Sequence, residues 1–156
     1  MPFGLRPGMS RAEALPIAQE AAGRDIIPTK SDSENFDFAN VRVADLPATL
    51  NLHFFGDELL SASVLFYTSE PENVRHVQSL LVAKYGEPKK TSIGGVVTWY
   101  VGGSSGIAVI ASIVRGDLSV MYLDKGTTWR KHQVYEQNRV DRNAVSQKEL
   151  AAKTGL

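Results

Sequence analysis

The sequence predicts an α+β fold: a six-stranded antiparallel sheet with two helices on one face, made of two α-β-β-β units and followed by a C-terminal, partly helical tail. Three observations carry this expectation. The run after Ser69, Pro71 to Tyr85, repeats its apolar residues at helical spacing and ends at Gly86 and Pro88. Six further segments read as strands with period two, separated by short turn-forming links. Helix-start signals at Ser10 and near Ser69, about 59 residues apart, are each followed by three of those strands.

Residues 1–9 are rich in Gly and Pro and read as an extended lead-in. Ser10 and Glu13 form a capping box, in which each side chain satisfies the other residue's backbone N–H, so a helix is expected over Arg11 to Ala22. Gly23 supplies its stop, and Pro16, which removes one hydrogen bond, predicts a kink or a helix whose first turn is irregular. Residues 24–35 are polar and loop-like.

Strands are expected over Phe36–Val43, Ala48–Phe55 and Leu59–Tyr67. In the second, Leu50, Leu52 and Phe54 oppose Asn51, His53 and Phe55; in the third, Leu60, Ala62, Val64 and Phe66 oppose Ser61, Ser63, Leu65 and Tyr67. Asp45-Leu46-Pro47 and Gly56-Asp57-Glu58 read as the links.

The second helix places Val74, Val77, Leu80, Leu81 and Tyr85 on one stripe. Ser69 or Glu70 is its cap, and Pro71 suits the first turn, where no N–H is needed. Three strands follow, centred on VVTWYV, GIAVIASIV and LSVMYL. The last two are apolar on both faces, which implies cover on both faces. Trp99 is expected in the helix–sheet core and Trp129 at the root of the tail. The domain is expected over residues 1–126 and the tail over 127–156. In that tail, Ser146 and Glu149 form a second capping box that predicts a short helix over Gln147 to Lys153.

Net charge is zero, but the tail from Arg130 holds six Lys/Arg against three acids, leaving 11 basic and 14 acidic groups in residues 1–129. That asymmetry is too mild for a nucleic-acid footprint, and the small patch of Lys84, Lys89 and Lys90 is what a helix C-terminus favours. With no cysteine, disulfides and thiolate chemistry are excluded. No stretch approaches the ~20 apolar residues of a membrane span. As written the chain reads as cytoplasmic, or as periplasmic or secreted if a leader preceded Met1.

The N-terminal run F-G-L-R-P-G-M-S-R-A-E-A-L, Phe3 to Leu15, resembles the start of small α+β binding domains such as the beta-lactamase inhibitor protein and the SmpA/BamE-like lipoproteins. The resemblance implies helical elements packed on an antiparallel sheet, with the sheet or its loops binding another protein. Pro16, the missing disulfide and the missing lipid-attachment cysteine depart from that pattern.

No catalytic set is recognisable, and no cofactor or metal is expected. His53, His76 and His132 fall on a strand, a helix and the tail, without metal-ligand spacing. Gly102 to Gly106 joins two strands, whereas a phosphate loop leads from a strand into a helix. Arg115-Gly116-Asp117 spells an adhesion tripeptide but also suits a tight turn. Asp57/Glu58 and Glu70/Glu72 occupy turn and helix-start positions.

The most informative set is the less apolar sheet face: Asn51, His53, Phe55, Ser61, Ser63 and Tyr67, joined by Thr98 and Tyr100. Small polar groups among aromatics make up recognition surfaces, and they equally make up an ordinary solvated sheet face. The expected function is therefore a non-enzymatic protein-binding module, such as an inhibitor, immunity or assembly accessory protein. A self-associating module, through strands 107–123 or the tail, and a small-ligand carrier or enzyme are the alternatives.

Overall fold

The computed structural model describes residues 1–23, 30–31, 34–68, 70–91, 96–102, 106–114 and 116–154. Helix α1 spans Arg11–Ala22, α2 Pro71–Tyr85 and α3 Thr127–Thr154. The six long strands are β2 (Asn35–Val43), β3 (Leu46–Phe55), β4 (Glu58–Phe66), β6 (Val97–Val101), β7 (Ile107–Val114) and β8 (Asp117–Asp124). Two-residue strands β1 (Lys30–Ser31) and β5 (Lys90–Thr91) lie at the edges.

The sheet is antiparallel throughout, in the order β1-β2-β3-β4-β8-β7-β6-β5. Each unit is a meander, and the two meet where β4 pairs with β8, from Ser61↔Leu123 to Phe66↔Leu118. The α+β fold and the repeated order of its units are thus as the residue pattern predicts.

One core lies between the helices and one sheet face. It takes Phe38, Leu50, Leu52, Val64, Val120, Val109 and Trp99 from the strands, Ala14, Ala18 and Ala22 from α1, and Val77 and Leu81 from α2. Small alanines on α1 let its backbone sit close to the strands. Trp99 is 2% exposed, and its indole N–H donates to the Gly86 carbonyl at 2.8 Å, tying the end of α2 to the sheet. Tyr122 shares this core; burial, with a hydrogen bond to Tyr85, pushes its phenol well up.

The Ser10–Glu13 capping box forms in full, and α1 runs on through Pro16. Pro16 and Ala12, whose carbonyl would have accepted the missing bond, are both exposed, so the freed group lies on the solvent side of the helix. The lead-in is held by strand-like bonds: Gly8 N–H donates to Leu59 O at 2.9 Å and Leu59 N–H to Met9 O at 2.8 Å. These bonds occupy the flank of β4 beyond its pairing with β8. Leu60 is a bulge there, because Ser61 pairs with His53 and Leu59 with Phe54. A second bulge sits at Asn40, φ 62°, where β2 slips between Phe38 and Val41.

Several local expectations change. The β2–β3 link is Ala44-Asp45, with Leu46 and Pro47 already in β3. Leu80 is 44% exposed and does not join the buried stripe of α2. Glu70 occupies the cap position of α2 without a side-chain cap bond; Thr68 Oγ1 instead accepts from Glu70 N–H at 3.2 Å. Ser69, the central residues of Gly102–Gly106, Arg115 and most of the 24–35 loop lie outside the described residues. Gly106 has a clear role: a Cβ there would fall 1.7 Å from the Val101 carbonyl oxygen. Since β6 ends at Val101 and β7 begins at Ile107, this glycine segment joins two strands.

The largest difference is the tail. It forms one helix of 28 residues, about 42 Å long at 1.5 Å per residue. Ser146 and Glu149 are interior to it and cap nothing. Its start is set by Asp124, only 3% exposed, whose carboxylate accepts from Gly126 N–H at 2.8 Å and Trp129 N–H at 3.4 Å.

Candidate functional site: the reverse face of the sheet

Strand registers arrange the face opposite α1 and α2 into cross-strand rows. One row runs Thr49, Leu65, Ser119, Ser112, and the next Asn51, Ser63, Met121, Ile110, Thr98. A third runs His53, Ser61, Leu123, Ala108, Tyr100. Six of the eight expected residues fall on these rows and two extend them: Tyr67 stands two residues beyond Leu65. Phe55 follows the bulge at the end of the third row.

That third row is where α3 lies. Phe55 packs edge-on against His132, centroids 5.3 Å apart, and meets Tyr135 at a tilted 58° with centroids 5.5 Å apart. His132 stacks on Trp129 at 5.8 Å. Glu58, paired opposite Phe55, accepts from Thr128 Oγ1 at 3.0 Å and Lys131 Nζ at 2.5 Å. Those two bonds hold the Glu58 carboxyl below the usual carboxylate range. Ser61, at 9% exposure, and Ala108, at 3%, lie in this covered row.

The two outer rows carry no helix of the described chain. Their polar groups are largely paired within the sheet: Asn51 Nδ2 donates to Asp37 Oδ1, and the Thr49 and Tyr67 hydroxyls bond each other. In the third row, His53 Nδ1 is 2.8 Å from Asn35 Oδ1. Leu65, Met121 and Ile110 are half-buried between them, and Tyr67 and Tyr100 stand out at 55% and 44% exposure.

Two clefts form where α3 crosses. One, of about 250 Å³, brings His53 and Phe55 together with His132, Tyr135 and the Glu136–Arg139 ion pair, whose N···O distance is 2.8 Å. Its groups do not form a metal site; among the described residues no three His, Asp or Glu cluster suitably. The other, of about 330 Å³, lies over Thr98, Ala108 and Ile110 beneath Trp129. His76 stays apart, exposed on α2.

Sequence reasoning missed Glu58, Asp124 and His132 as the residues that place α3. A signal existed: Trp129, His132, Tyr135 and Glu136, and Arg139 recur at spacings of three and four, marking a helical face.

The geometry defines an open-faced α+β sheet domain with one helix laid across an end of its reverse face. No protein-family model, curated protein or solved structure matches this chain.

Proposed function

We propose that this chain is a non-enzymatic protein-binding module, of the inhibitor, immunity or assembly-accessory kind, whose partner lies on the two uncovered rows. One observation carries the reading: Leu65, Met121 and Ile110 form a half-buried apolar centre, bordered by self-paired polar groups and two exposed tyrosines. Apolar centres with polar rims are how protein interfaces are built, and polar groups already paired cost less to desolvate. The resemblance of Phe3–Leu15 to small inhibitor and lipoprotein domains points the same way. Capture with immobilised wild-type chain and with Leu65→Lys/Met121→Lys tests it. The variant should fold and lose the partner; equal capture by both rejects this surface.

The outer part of α3 favours a second reading, self-association. Residues 137–150 are exposed throughout, including Val140, Val145 and Leu150 at 55%, 55% and 63%. Light scattering on the wild type and on a variant with serine at those three positions decides it: a monomeric wild type at high concentration removes this reading.

A further inference from the structure

The cleft beneath Trp129 has a chemistry distinct from the flat strip beside it. Thr98 pairs with Ile110 and Tyr100 with Ala108, so all four project to the same side. The small Ala108 leaves a hollow between larger neighbours, and Trp129 at the root of α3 lines one side of it, giving an open cleft of about 330 Å³. That is near the ~300 Å³ lower end of small-ligand sites, with room for about eleven water-sized groups at roughly 30 Å³ each. The lining is mainly apolar, with Thr98 and Lys125 among its polar residues. Lys125 stands at the rim, its Nζ 4.6 Å from the Tyr100 ring centroid, and no acid of the described residues pairs with it.

We propose that this cleft binds a small aromatic monocarboxylate. The ring lies on the Ala108–Ile110 floor between Tyr100 and Trp129, and the carboxylate meets Lys125 Nζ. Two aromatic walls favour a flat ring through offset or edge contacts. A single unpaired cation at the rim matches one negative charge, and a charge-assisted hydrogen bond there is stronger than a neutral one. The cleft shares Ile110 with the protein-binding strip, but the inference rests on Ala108, Tyr100, Lys125 and Trp129, and its test leaves Leu65 and Met121 untouched.

The full chain, titrated calorimetrically with 3-phenylpropionate and with 3-phenylpropan-1-ol, tests it. The acid should bind saturably and about tenfold more tightly than the alcohol. Lys125→Met should bring the acid down to the alcohol's affinity. Ala108→Leu, which fills the hollow from the reverse face, should abolish binding of both while retaining the thermal unfolding midpoint. If that variant does not fold, Trp129→Leu removes one wall and should weaken both ligands. The proposal is overturned if no saturable heat appears up to the solubility limit. It is equally overturned if acid and alcohol bind alike to the wild type, or if Lys125→Met keeps the preference.

Discussion

Phe55 and His132 meet edge to face with ring centroids 5.3 Å apart, joining the end of β3 to the second turn of α3. Tyr135 reaches the same ring one helical turn later. Phe55→Ala removes both contacts. The expected cost is about 2 kcal/mol, below that of a fully buried Phe because the site is half-buried. Urea unfolding measures it, and limited proteolysis should show faster cleavage within α3 than in the sheet.

The Glu58 clamp predicts an acid-sensitive helix. Its carboxyl sits below the ordinary value of 4.5 because Lys131 and Thr128 hydrogen-bond its charged form. A folded-state value below the unfolded one means the stabilisation is present above the ordinary value and is lost as pH falls through the folded value. The pair is partly exposed, so the effect is at most about 1 kcal/mol. The amide protection factors in the first turns of α3, exchange rates taken relative to those of unstructured chain at the same pH, should fall as pH drops from about 5 toward 3. Glu58→Gln should flatten that dependence.

Trp99→Phe should destabilise by about 1–3 kcal/mol, since it gives up both buried area and the bond to the Gly86 carbonyl. Thermal unfolding followed by circular dichroism measures it. A change under 0.5 kcal/mol would show that the end of α2 is held by other contacts.

The Ala44-Asp45 turn is a site for gain. Both residues have positive φ, 52° and 60°, in a two-residue link between paired Val43 and Leu46. That geometry prefers Asn-Gly, and left-handed backbone costs other residues about 1 kcal/mol or more. Ala44→Asn with Asp45→Gly should raise stability by about 1 kcal/mol in urea unfolding. Arg42 bonds the Asp45 carbonyl oxygen, a backbone group that the substitution keeps.

Much of the architecture was legible because each element carries its own period. The parity of β3 and β4, Leu50/Leu52 against Asn51/His53 and Ala62/Val64 against Ser61/Ser63, assigns both faces, and Gly86 with Pro88 ends α2. The bulges at Asn40 and Leu60 were not legible, since an extra residue becomes visible only when the partner strand is known. The docking of α3 was hidden for a related reason. Its fixed points, Glu58 and Phe55, lie about 70 residues earlier in the chain than Thr128 and His132, a span no local pattern crosses. For the candidate face, pattern grouped residues that share one side of the sheet but did not show which row α3 would roof.

The mirrored strand order predicts the timing of folding. Within each meander, partners are joined by short connections, so hairpins zip early at small entropic cost. The junction of β4 with β8 must close a loop at least from Phe66 to Leu118 before any of its bonds form. Contacts that far apart in sequence dominate the barrier. Truncating Val64 or Val120 to Ala should therefore slow refolding in stopped-flow experiments more than truncating Leu50. Equal effects at the three positions would mean that the halves collapse together rather than meeting ready-made.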